Sequence, residues 1–158
     1  MKVIFLDFDG VITTKRSGYK LDKERMELVK SICDKTDAKI VISSSWRLDT
    51  LENTILNITT TRNPETEVPF LMPELVVGIT KRMYAFALEC KNKHYLIPRG
   101  VEIERYLREH NEVDRYVILD DDNDMLLCQA PYFVKTNTEI GITEEEANKA
   151  IEILNRDE

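Results

Sequence analysis

Short apolar runs alternating with amphipathic segments predict a three-layer α/β/α fold of the Rossmann-like kind, built on a parallel sheet. Three observations carry this reading. Apolar runs recur at 2–7, 39–42, 75–79, 116–119 and 132–134, each short enough for a strand buried on both faces. The residues between them place apolar side chains at helical spacing. No internal repeat, low-complexity tract or interdomain linker breaks the pattern, so residues 1–158 read as one domain, close to the usual domain size.

The first run, Val3-Ile4-Phe5-Leu6, feeds Asp7-Phe8-Asp9-Gly10-Val11. Carboxylates at the carboxyl end of a parallel strand face the crevice where open α/β sheets bind their ligands. Read alone, the pair fits a nucleophile with its acid/base partner, a metal site or a polar strand end. Met26, Val29 and Cys33 mark the first helix. The second run, Lys39-Ile40-Val41-Ile42, ends in Ser43-Ser44-Ser45-Trp46-Arg47. Hydroxyls at such a turn can hold an anion together with free backbone N–H groups, although serine is equally a helix cap. Ser43 directly follows the run and is the first candidate ligand, with Ser44 beside it. Trp46 either packs or stacks on a substrate ring.

Residues 57–75, with Asn63-Pro64, Pro69 and Pro73, read as an irregular excursion before the third strand. Ile103, Leu107 and His110 mark the next helix, with His110 packing on its inner face. His94, in a basic stretch, is a candidate substrate contact. The fourth run, Tyr116-Val117-Ile118-Leu119, ends in Asp120-Asp121-Asp122-Asn123-Asp124. Each close carboxylate pair there repels by on the order of 4 kcal/mol at an effective dielectric of about 20. A cation relieves this, and oxygen-only ligands suit a hard ion such as Mg²⁺. A calcium loop does not fit, because the ladder lacks its sixth-position Gly and its closing Glu; a solvated acidic turn is the structural alternative. After the fifth run, Ala147, Ala150, Ile151 and Leu154 mark a last helix, opened by a capping box of Thr143 and Glu146.

Composition narrows the class further. The chain is 42% hydrophobic and 32% charged, as soluble globular proteins are and disordered ones are not. Its net charge of −7 argues against strong non-specific nucleic-acid binding. Basic residues nevertheless gather at Lys15, Arg16 and Lys20, and at Lys81, Arg82, Lys91, Lys93 and Arg99, where they would draw in an anionic substrate if they border the crevice. No apolar run approaches the roughly 20 residues of a membrane span, and the N-terminal hydrophobics are too few for a signal-peptide core. No membrane association and a cytoplasmic location are expected. Cys33, Cys90 and Cys128 are widely spaced and odd in number, the pattern of reduced thiols.

Together the motifs resemble the haloacid dehalogenase (HAD) superfamily of phosphohydrolases. Asp7-Phe8-Asp9-Gly10-Val11 matches its Asp-x-Asp-x-Thr/Val signature, Ser43 its second-motif hydroxyl, and Asp120-Asp121 with Asp124 its acidic fourth motif. The third-motif cation is matched by Arg99, with Lys93 and Lys81 as alternatives; several subfamilies have Lys-Pro there. The resemblance implies strand order 5-4-1-2-3, no large cap domain, and Mg²⁺-dependent hydrolysis of a phosphomonoester through an aspartyl-phosphate. Asp7 would be the nucleophile and Asp9 the acid/base. Mg²⁺ would be held by Asp7, the Asp9 carbonyl and Asp120, with Asp121 or Asp124 in support, and phosphate by Ser43, Ser44 and Arg99.

The substrate follows less directly. Ser-Ser-Ser-Trp-Arg and the Arg-Gly…Asp-Asp-Asp ending are similar to small phosphatase domains of nucleic-acid end repair. A phosphorylated small molecule or a polymer end is therefore the expected partner; a metabolite, sugar-phosphate or nucleotide phosphatase and a non-catalytic Mg²⁺-binding interaction domain are the alternatives. Only Ile12 to Leu21 separates the first motif from the first helix, and 48–98 supplies at most a third strand and a small insert. Such an open site admits a polymer end, while the oligomeric state is open. A response-regulator receiver is excluded, since residues 75–80 contain no acceptor Asp.

Overall fold

The computed structural model describes residues 1–60, 68–86 and 94–156. In chain order the elements are β1 (Lys2–Leu6), α1 (Lys23–Thr36), β2 (Lys39–Ile42), α2 (Leu51–Thr59), β3 (Val76–Ile79), β4 (Tyr84–Phe86), β5 (His94–Leu96), α3 (Arg99–Glu109), β6 (Arg115–Asp120), β7 (Phe133–Lys135) and α4 (Glu144–Asn155). All five expected strands form, and they make one parallel sheet in the order β3-β2-β1-β6-β7. Read from the other edge this is the expected 5-4-1-2-3. β4 and β5 stand apart as an antiparallel pair between β3 and α3.

Successive strand side chains point to opposite faces, and β1 shows what this does. Ile4 and Leu6 join a core with Met26, Val29 and Ile32 of α1, Ile58 of α2, and Ala147, Ala150 and Leu154 of α4. Val3 and Phe5 join a second core with Ile103 and Tyr106 of α3. Helices therefore cover both faces, which is why β1 carries an unbroken apolar run. The two cores make three layers.

Local signals fix the helix ends. Asp22 caps α1 by accepting from the Arg25 N–H at 3.2 Å, and Asp37 closes it in the left-handed region at φ 58. The Thr143 and Glu146 capping box opens α4 as expected. Strand bounds shift slightly. Tyr132 ends a 3₁₀ turn over Leu127–Tyr132 that contains Pro131, so β7 begins at Phe133. The expected excursion also begins later, since α2 runs through Thr59. His110 follows α3 and stacks on Tyr106 with ring centroids 3.8 Å apart. Cys90 and Lys93 lie outside the described residues.

Candidate active site

β1 and β6 are parallel neighbours with Leu6 opposite Leu119, so the residues that follow emerge side by side at the carboxyl edge of the sheet. The ladder continues one step, with Asp7 N–H donating to the Leu119 carbonyl at 3.0 Å. On the other side the Ser43 N–H donates to the Leu6 carbonyl at 2.9 Å. Three motifs distant in sequence thus abut at the switch point of the sheet, where α/β folds place their ligand sites.

Oxygens of Asp7, Asp120 and Asp121 all lie within 4.8 Å of one another. Asp7 is 6% and Asp120 2% exposed. Burial pushes the Asp7 carboxyl up to about 6, against the lowering effect of the Arg99 charge and the Ser44 hydrogen bond. Burial first, and then the Asp7 charge, push Asp120 up to about 8. Asp121 is set from two sides. Thr138 Oγ1 donates to its Oδ2 at 2.6 Å, and its carboxylate lies against Gly10, where any Cβ would collide with it. Gly10 sits at φ +75, a conformation that glycine adopts freely. Three hard oxygen donors, two of them buried and pushed toward protonation, fit a small divalent cation.

The Asp9 carboxylate is not one of these three. Its Oδ1 accepts from Thr13 Oγ1 at 2.9 Å and from the Trp46 indole N–H at 3.0 Å, and its Oδ2 from Ser45 Oγ at 3.3 Å. It is turned toward the second motif. Any share of Asp9 in metal binding falls to its backbone carbonyl, as the resemblance implies. Trp46 neither simply packs nor simply awaits a ring: it also anchors this carboxylate.

Ser43 is 1% exposed, and its hydroxyl has no partner. Such a buried, unsatisfied hydroxyl costs stability unless a ligand completes it. The Ser44 side chain helps to lower the Asp7 carboxyl, and its hydroxyl accepts from the Trp46 N–H at 3.2 Å. Arg99 opens α3, its Nη1 donates to the Ser43 carbonyl, and its charge acts on both Asp7 and Asp120. The alternative Lys81 does not join it. Lys81 pairs with Glu109 at 3.3 Å, at the far end of the 11-residue α3. Asp124 serves the helix instead of the carboxylate cluster. Pro98 offers α3 no side-chain cap, and Asp124 accepts from the Arg99 N–H at 2.8 Å through Oδ2 and from the Gly100 N–H at 3.1 Å through its carbonyl. These are the free donors of a helix start. Gly100 permits this approach, since a Cβ there would strike Leu126 and Gln129.

Beneath the second motif lies an ion pair that sequence reasoning missed. Arg47 Nη2 bonds Glu102 Oε2 with both side chains almost wholly buried. Arg47 Nη1 also donates to the Ser44 carbonyl at 2.6 Å, and Glu102 Oε1 accepts from the Met83 N–H at 2.8 Å. The pair ties Ser44, α3 and the approach to β4 together. Burial pulls the Arg47 guanidinium down to about 10, with Glu102 opposing. The available signal was Glu102, a charge on the inner face of the amphipathic α3.

A crevice of buried carboxylates, with an arginine and an unsatisfied hydroxyl at the carboxyl edge of a 5-4-1-2-3 parallel sheet, defines a HAD-type domain, and with it a phosphatase-type function. More narrowly, the family model described as "HAD domain in Swiss Army Knife RNA repair proteins" matches residues 3–147, and the chain belongs to that family. No curated protein and no solved structure matches it.

Proposed function

We propose that residues 1–158 act as one Mg²⁺-dependent phosphomonoester hydrolase that works through an aspartyl-phosphate on Asp7. The observation that carries this reading is the three-carboxylate group of Asp7, Asp120 and Asp121 with Arg99 and the unpartnered Ser43 hydroxyl around it. Mg²⁺ held by Asp7, the Asp9 carbonyl, Asp120 and Asp121 would neutralise their mutual repulsion and the charge of the incoming phosphate.

In the first step an Asp7 carboxylate oxygen attacks phosphorus in line, and the bond from phosphorus to the leaving oxygen breaks. Asp9 protonates that oxygen. In the second step Asp9, now a base, takes a proton from water, which attacks the same phosphorus and returns Asp7 with inorganic phosphate. Ser43 Oγ and the remaining N–H groups of Arg99 hold the phosphoryl oxygens as charge redistributes. Ser44, which lowers the Asp7 carboxyl, favours its ionised, attacking form.

The substrate of this reading is a phosphate at a nucleic-acid end. The family's description as a domain of RNA repair proteins supports it, as does the short connection over Ile12 to Leu21, too brief for a large lid. A cytoplasmic location belongs to the same reading, and the free thiols of Cys33 and Cys128 fit a reducing compartment. The test is a Mg²⁺-dependent screen of oligonucleotides ending in 3′- or 5′-phosphate beside the matching mononucleotides, sugar phosphates and phosphopeptides. Higher kcat/KM for the oligonucleotide ends is expected; preference for mononucleotides or sugar phosphates would reject the end-repair substrate.

A further inference from the structure

Across Trp46 from Asp9 lies a hollow that the phosphoryl chemistry does not use. It is a cavity of about 110 Å³, with Tyr19, Leu21, Trp46, Asn57 and Pro69 among its walls. One of those walls touches Asp9 directly, and a second reaches it through Thr13. Trp46 donates its indole N–H to Asp9 Oδ1 at 3.0 Å, and Leu21 bridges to Thr13, whose hydroxyl donates to the same oxygen at 2.9 Å. Whatever occupies the cavity therefore shares the Trp46 wall with the group that would protonate the leaving oxygen. The cavity is small, well below the roughly 300 Å³ at which drug-sized ligands begin to be enclosed, and suits a flat group better than a whole ligand.

The backbone at Tyr19 points the same way. Gly18 and Tyr19 are both left-handed, at φ 64 and φ 59. Glycine takes that conformation freely, whereas a bulky L-residue is strained in it, and strain kept by a non-glycine residue marks a candidate functional position. Here it holds a tyrosine, 51% exposed, in the lining of a cavity that a tryptophan also lines. Asn57 Nδ2 donates to the Trp46 carbonyl at 3.3 Å, which leaves the amide oxygen as an acceptor. Aromatic surfaces with one polar handle suit a flat ring that carries polar groups on its edge.

We infer that this cavity is a leaving-group subsite that takes the base of the nucleoside whose phosphate sits at Asp7. The inference rests on the phosphomonoesterase reading above and adds to it the part of the substrate that is recognised. A free nucleoside and the terminal nucleoside of a polynucleotide present the same ring, so both are probed.

Trp46 is the only tryptophan in the chain, and its emission reports on the cavity. The full chain is titrated, with Mg²⁺ present, with adenosine, cytidine, a short unphosphorylated oligonucleotide and ribose; none of these can be turned over. Saturable quenching by the nucleosides or the oligonucleotide and none by ribose is expected. Tenfold tighter quenching by the oligonucleotide assigns the polymer end, and the reverse assigns the free nucleoside; both support the subsite. Tyr19→Gly should weaken the quenching at least tenfold while its Tm stays the same or rises, because glycine is unstrained at φ 59. No quenching by any base-bearing probe, equal quenching by ribose, or wild-type binding by a folded Tyr19→Gly would each overturn the inference. Hydrolysis is read separately. Quenching without any phosphatase activity rejects the reaction and leaves the base subsite standing, whereas activity without quenching rejects the subsite alone.

Discussion

Asp7 and Asp120 show how one pair of side chains couples chemistry to stability. Both carboxyls lie above their ordinary value of 3.8 in the folded chain, at about 6 and about 8, so folding favours their protonated forms. A raised carboxyl stabilises the fold at low pH and loses that contribution as pH rises through the folded value. Without metal, the protein should therefore melt at a higher temperature at pH 5 than at pH 8.5, and Mg²⁺ should raise Tm more at pH 8.5 than at pH 5. Asp120→Asn should raise the metal-free Tm at pH 8.5 by at least about 3 °C, the equivalent of about 1 kcal/mol in a domain of this size, and remove most of the Mg²⁺ shift. Thermal melts at the two pH values, with and without the ion, check this; a pH-independent metal-free Tm would count against it. In the proposed reaction Trp46 positions the acid Asp9. Trp46→Phe keeps a ring but removes the N–H that holds Asp9, so kcat for a phosphate ester with a poor alkyl leaving group should fall by about tenfold or more, the scale of general-acid effects. Hydrolysis of p-nitrophenyl phosphate, whose leaving group needs little protonation, should change far less. Equal losses on both substrates would mean that Trp46 is only structural. Asp7, Ser43 and Asp120 were legible in the sequence because each follows directly on an apolar strand. The donors to Asp9 were not, since Thr13, Ser45 and Trp46 reach it only through the path of two loops.

Elements are held to one another by a contact of a different kind. The Arg47–Glu102 pair joins the loop after β2 to α3 and, through Met83, to the chain entering β4. A buried pair adds little net stability against apolar residues of equal size, but losing one partner strands the other charge. Glu102→Ala should cost about 3–5 kcal/mol in urea unfolding, and Arg47→Met with Glu102→Leu should recover most of that loss. Recovery of stability without recovery of activity would identify the pair as the support that sets Ser44 and Arg99. The five parallel strands and three of the helices could be read from periodicity and caps, because parallel strands buried on both faces leave unbroken apolar runs, whereas the antiparallel pair β4 and β5 was not legible. α2 was harder to see. Leu51, Ile55 and Ile58 have helical spacing and Thr50 caps the helix, but its Thr and Ile content favours strands. The shift of β7 to Phe133 has a similar cause, since Tyr132 belongs by composition to the strand and by its neighbour Pro131 to the turn.

Across the whole molecule, strand order does what no single motif can. Asp7 and Asp120 are 113 positions apart in the chain, and only the pairing of β1 with β6 makes them neighbours. That pairing was legible through the resemblance, not through periodicity, because local pattern carries no information on which strands meet. The same sheet edge receives Ser43 from β2 and Arg99 from α3. An acidic chain thus presents Arg99 at the carboxylate crevice, and local charge at a cleft acts on an anionic ligand apart from the net charge of −7. In the proposed reaction Asp7 is the attacking group. The most direct test is Mg²⁺-dependent hydrolysis of p-nitrophenyl phosphate by the wild-type chain and by Asp7→Asn, with folding of both verified by circular dichroism. Turnover by the wild type that needs Mg²⁺ and falls by about 10³-fold or more in the variant, the scale on which preorganised catalytic groups act, is the predicted result. A folded Asp7→Asn protein that keeps full Mg²⁺-dependent activity would contradict it.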